Sequence, residues 1–137
     1  MAKNEEVKNG TIFPIGNEND AYAKYFVGQS YLKSLIADPE VNVGVGQVTF
    51  EPGCRNNWHI HRGGFQLLLV TGGEGWYQED GKPAQHLKVG NTVVTHDGVK
   101  HWHGATKDSW FAHIAITAGT PKWLEPVDDQ QFQSAES

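Results

Sequence analysis

Apolar residues in this 137-residue chain come in short runs that alternate with polar ones. Glycine, proline or Asp-Gly separates the runs about every ten residues, a rhythm that predicts short strands joined by tight turns in an antiparallel barrel or sandwich. Residues 1–20 are polar and without period, and read as an arm. "AYAKYFVGQSYLKSLI" mixes aromatic with small residues and predicts one or two strands. "ADPE" predicts a turn, at which Pro39 stops any helix. In "VNVGVGQVTFEPG", Val41, Val43 and Val45 share one parity and Val48 and Phe50 take the other. The switch beside Gly46 predicts a bulge or bend.

Downstream, "FQLLLVTGGEGWYQEDGKP" predicts a buried strand, a turn at the paired glycines, a second strand and a hairpin turn at Asp80-Gly81. "QHLKVGNTVVTHDGVKHWHGA" predicts two more short strands around Gly90, with another turn at Asp97-Gly98. "SWFAHIAIT" is a strand with Phe111, His113, Ala115 and Thr117 on one face and Trp110, Ala112, Ile114 and Ile116 on the other. The end of the chain predicts one helical turn capped by Asp128 and a frayed tail. The chain divides into an N-terminal arm with the first strands (1–40), a barrel core (41–127) and a polar tail (128–137).

Composition narrows the class. Sixteen glycines and one methionine suit a turn-rich β protein, and 38% hydrophobic residues suffice for one core. A net charge of −5 argues against nucleic acid as a partner. No apolar run approaches the roughly 20 residues that span a bilayer, and "MAKNEEVKNG" lacks the apolar centre of a signal peptide. With Cys54 as the lone cysteine, the expected compartment is the cytoplasm.

The chemistry lies in the histidines. His59 and His61 in "HIHRGGFQ" are two apart and project from one face of a strand, where two imidazoles can converge on a metal ion. A pair of exposed histidines on a barrel rim would look the same. "HWH" at 101–103 and His113 on its alternating strand change the balance, because buried histidines need partners and a shared ion supplies one. His103 and His113 are the candidate general bases, since an imidazole beside a cation is pushed toward its neutral, proton-accepting form. The alternative for each is a core histidine satisfied by a hydrogen bond. His86 reads as a solvated strand residue, His96 as a loop residue, Cys54 as a small buried residue, and Arg55 as a surface residue that could otherwise hold a carboxylate.

"GCRNNWHIHRGGFQLLLVTGG" resembles the first motif of the cupin superfamily, through Gly53, His59, His61, Gln66 and Gly73, with glutamine in place of the usual glutamate. "GNTVVTHDGVKHWHG" resembles the second motif through Gly90, Gly98 and His101, in a degraded form, with His96 at the usual proline position. The set "VTFEPGCRNNWHIH", "KHWHGA", "HIAI" and "WLEPVDDQQF" resembles the small single-domain cupins. These include manganese-dependent bacterial hydroxynitrile lyases and carboxymuconolactone decarboxylase-associated cupins.

The resemblance implies an all-β jelly-roll barrel in a single domain, paired as a homodimer. It implies metal ligands at His59, His61, Gln66 and His101, with His103 and His113 facing a small-molecule substrate. The implied ion is manganese, with iron, zinc and nickel as alternatives. Thr117, Phe50 and Val48 are assigned to the substrate wall; Thr117 departs from the glutamine of the lyases. Three imidazoles and an amide are all neutral and leave a divalent ion its full charge, which favours lyase chemistry through an oxyanion over redox chemistry. An iron-dependent dioxygenase and a non-catalytic binding protein are the rival readings.

Overall fold

The computed structural model describes residues 4–137, so the first three residues of the predicted arm lie outside it. Among the described residues, ten strands form one curled sheet in the order β1-β3-β4-β10-β6-β9-β5-β2, and β7 and β8 also pair with β6. The strands are β1 (Asn17–Glu18), β2 (Phe26–Val27), β3 (Ser30–Ile36), β4 (Gly44–Phe50), β5 (Arg55–Asn56), β6 (His59–Glu79), β7 (Gln85–Lys88), β8 (Thr92–Thr95), β9 (His101–Ala105) and β10 (Phe111–Trp123). Two helices flank them, α1 (Asn4–Lys8) and α2 (Asp129–Glu136). No helix among the described residues is long and apolar enough to cross a membrane.

Strand β6 organises the sheet. It runs 21 residues, so the predicted turn at Gly72-Gly73 is instead a bulge within one strand. The register against β10 jumps there, from His113↔Val70 to Ala112↔Gly72. Gly73 takes φ +69°, and a Cβ on it would collide with the Trp110 carbonyl, so the chain kinks without reversing. The bulge expected beside Gly46 is displaced onto the neighbouring strand. β4 pairs with β10 without interruption, and the shift falls in β3, between Ser34 and Ile36. The "AYAKY" half of the predicted early strand is a 3-10 turn, Asp20–Tyr25. The Asp-Gly turns form where expected, with Gly81 and Gly98 both at positive φ.

Alternation along the strands separates two cores. Phe50, Leu68, Val70, Tyr77, Leu87, Val93 and Phe111 fill the inside of the curl. Trp102 lies between two histidines in β9 and so points the other way, joining Trp58, Val127, Phe132 and Ala135 under α2. The tail is therefore a packed helix rather than one turn and a frayed end. Asp128 caps it as predicted, its carboxylate accepting from the Gln131 N–H at 2.8 Å. Arg55, expected at the surface, is buried and ties this helix down. It donates to the Val127 carbonyl (3.0 Å) and the Asp129 carboxylate (2.8 Å), and its guanidinium lies over the Phe132 ring. The arm is also anchored: Val7 packs over Gly72, and the Thr11 hydroxyl donates to the fully buried Gln47.

Candidate metal centre

Strand geometry brings three histidines together. His59 and His61 share one face at the start of β6, and His101 opens β9 as the cross-strand partner of His59. One ring nitrogen from each lies within 4.8 Å of the others, and all three residues are buried. Backbone carbonyls set two of the tautomers. His59 Nδ1 lies 2.7 Å from the Asn57 carbonyl oxygen and His101 Nδ1 lies 3.0 Å from that of Val99. A carbonyl only accepts, so each Nδ1 carries the proton and each neutral ring leaves Nε2 bare. Both nitrogens of His61 are buried without a hydrogen-bond partner among the described residues, which costs about 1–3 kcal/mol for each unsatisfied group.

Gln66, further along β6, completes the cluster. Its Oε1 lies 3.2 Å from His101 Nε2 and 3.3 Å from His103 Nε2, and its Nε2 donates to Thr117 Oγ1 at 3.1 Å. Because His101 Nε2 has no proton, it meets the amide oxygen lone pair to lone pair. A cation between such groups converts that repulsion into ligation. Burial pushes the imidazoles toward the neutral form that a metal requires: His101 falls to about 4, His61 is lowered, and His59 is held well below its ordinary value by burial and by the neighbouring His101. Orphaned nitrogens, facing lone pairs and neutral rings together fit a divalent ion at this point.

His103 and His113 form a separate pair beside the triad. His113 Nε2 lies 3.0 Å from His103 Nδ1. Asn56 holds His103 from the other side: its Oδ1 accepts from the His103 backbone N–H at 3.0 Å, and its Nδ2 lies 3.1 Å from His103 Nε2 and 3.3 Å from Nδ1. Burial lowers His113 to about 3, and burial with the adjacent His113 holds His103 well below its ordinary value.

A cavity of about 340 Å³ opens over these groups. His59, His61, Gln66, His103 and His113 line its polar end, and Phe26, Leu32, Val48, Ala115 and Trp123 are among its apolar walls. Thr117 and Val48 line it as expected; Phe50 does not. Phe50 is fully buried behind the histidines, its ring centroid 5.9 Å from that of His103 and 5.4 Å from that of His113. It backs the pair from outside the cavity lining.

Residues 46–117 match the model of the cupin domain. The chain is 37% identical over 116 residues to an (R)-mandelonitrile lyase from Granulicella tundricola, covering 81% of this chain and 88% of that protein. The chain belongs to the cupin family. A cupin-like protein from Thermotoga maritima has a similar structure, with TM-score 0.85 and 40% identity over 90% of this cupin and 96% of that chain. A DMSP lyase from Ruegeria pomeroyi shares the fold, with TM-score 0.62 and 16% identity over 94% of this chain and 62% of that one.

In this cupin the remaining histidines lie apart from the cavity. His86 pairs with Glu74 at 3.0 Å and packs on Trp76, and His96 is exposed in its loop. Cys54 is buried, and burial pushes its thiol up to about 12, which removes it as a nucleophile. Two site residues were not singled out in the sequence, Asn56 and Trp123. Trp123 stands 4.6 Å from the His59 ring and stacks on Tyr25. The available signal was position: Asn56 lies three residues before His59, and Trp123 ends the strand that carries His113.

Proposed function

We propose that this cupin is a metal-dependent lyase that cleaves or forms a cyanohydrin or a related small hydroxy or carbonyl compound. The observation that carries the reading is the pairing of two histidine groups at one cavity end: a triad with bare nitrogens, and a hydrogen-bonded pair beside it. His59, His61 and His101, with the Gln66 oxygen, would hold the ion, for which manganese is the choice. When bound, the ion supplies a positive centre that stabilises negative charge growing on a substrate oxygen. The neutral donor set, with an amide where most cupins have a carboxylate, preserves that charge.

The proton belongs to the protein. His103, backed by His113 and oriented by Asn56, accepts the proton of a substrate hydroxyl. As the O–H bond breaks, the carbonyl forms, and the carbon–carbon bond to cyanide breaks with its electron pair leaving on cyanide. The same imidazole returns the proton, so the products are an aldehyde and hydrogen cyanide. Apolar walls keep water from the reacting carbon, and Thr117 and Val48 touch the substrate's body. The likeness to a mandelonitrile lyase supports this class of substrate. Elemental analysis of the purified protein, followed by turnover of mandelonitrile with added Mn(II), tests the reading. Stoichiometric metal and release of benzaldehyde are expected. Oxygen uptake with iron and a diketone, in place of lyase turnover, would replace this reading with a dioxygenase.

The partner we propose is a second copy of the chain. The outer face of β10, β6 and β8 carries Ile114, Ile116, Leu67, Leu69 and Val94, with Leu69 36% and Val94 52% exposed. Ile12 of the arm is 88% exposed. An uncharged apolar face of this kind suits a copy of equal net charge. Light scattering of the wild type is expected to give a dimer mass, and Leu69→Glu with Val94→Glu a monomer; a monomeric wild type ends the proposal.

A further inference from the structure

Thr117 is placed to do more than line the cavity. It is the cross-strand partner of Gln66, β10 against β6, and its hydroxyl takes the amide N–H at 3.1 Å. Gln66 is 7% exposed, so both ends of its amide must be answered within the protein. The inner end faces two ring nitrogens, His101 Nε2 at 3.2 Å and His103 Nε2 at 3.3 Å. Reversing the amide would point N–H at those nitrogens and satisfy them, at the expense of the oxygen donor. The side chain therefore has two orientations, one that offers oxygen to a cation and one that closes the site with its own hydrogen bonds.

We infer that Thr117 is a positioning residue that holds Gln66 with its oxygen turned inward, and so sets the affinity of the triad for its ion. This rests on the metal reading given above. In the oxygen-inward state the NH₂ group lies beside Thr117, in a cavity lining that also includes Ala115 and Val45. The Thr117 hydroxyl is the acceptor there. Valine at position 117 keeps the branched shape and removes the hydroxyl, which strands a buried N–H in the metal-ready orientation but only a carbonyl oxygen, the more readily tolerated loss, in the reversed one. Groups that orient metal ligands through a hydrogen bond typically change affinity about 10–100-fold when lost.

The experiment is titration of metal-free protein with Mn(II) against a competing chelator, for wild type, Thr117→Val and Thr117→Ser, with the thermal midpoint of each metal-free protein measured alongside. Thr117→Val is expected to weaken Mn(II) binding at least tenfold, Thr117→Ser to recover most of the loss, and the metal-free midpoints to stay together. Thr117→Val binding Mn(II) like wild type overturns the assignment and leaves the metal reading standing. A wild type that takes up no Mn(II) overturns both. Equal weakening in valine and serine, or a fall in the metal-free midpoint that matches the lost affinity, also overturns it, since bulk packing would then be the cause.

Discussion

Five buried histidines cluster together, four of them lining one end of the cavity, yet they divide by what holds them. His59 and His101 donate Nδ1–H to backbone carbonyls, and among the described residues His61 meets only ring contacts, so the triad presents bare nitrogens fixed to the sheet. His103 and His113 meet each other through ring nitrogens, and Asn56 meets the His103 ring and accepts from its backbone N–H, so this pair is joined through side chains, with only His113 Nδ1 unpaired among the described residues. Residue type and burial are the same in both groups. Partners alone distinguish the group proposed to bind a cation from the pair proposed to move a proton.

The sharpest way to break the contrast is to delete the triad. His59→Ala with His61→Ala should abolish stoichiometric metal by elemental analysis, while circular dichroism still reports a folded sheet. Metal retained at wild-type level would mean the wrong group had been named. His103→Ala should give the reverse result, full metal content with lyase turnover lowered about 10²–10⁴-fold, the usual worth of a general base. Loss of metal in that variant would merge the two groups into one.

Acid acts on both groups together. Burial lowers His101 to about 4 and His113 to about 3 in the folded protein, against an ordinary value of 6.5. Between those values the unfolded chain binds more protons, so metal-free stability is greatest above pH 6.5. It falls as pH drops and levels off near pH 3. Added Mn(II) should oppose the early part of that loss, because the ion competes with protons for the triad and not for His113. Urea midpoints across pH, with and without the ion, measure it. An acid loss that Mn(II) leaves unaltered would deny the triad its separate standing.

The sequence made the strands and the inward histidines legible because a two-residue period is a local property. Parity put His113, Ala115 and Thr117 on one face and His59 with His61, and the structure has them there. It could not tell a glycine turn from a bulge at Gly72-Gly73, since both need positive φ; only the pairing of β10 across the break decides between them. Phe50 was misplaced for a similar reason. It shares parity with Val48, but the curl of the sheet leaves Val48 in the wall and sets Phe50 behind the rings. Arg55 was missed because its partners, Val127 and Asp129, are more than seventy residues away in the chain.

The length of β6 has a consequence for how the site is assembled in time. This one strand carries His59, His61 and Gln66 and hydrogen-bonds to β7, β8, β9 and β10, all of them later in the sequence. That strand alone holds three of the four proposed ligands, but nothing fixes their geometry until its later partners pair with it. The ring of His101 arrives only when the distant strands close, so folding must meet the loop entropy of a high-contact-order sheet first. In the finished protein the same wiring means that the amides of Gln66 to Leu69, flanked by β8 and β10, open only with the sheet as a whole. They should be among the last to exchange hydrogen with solvent.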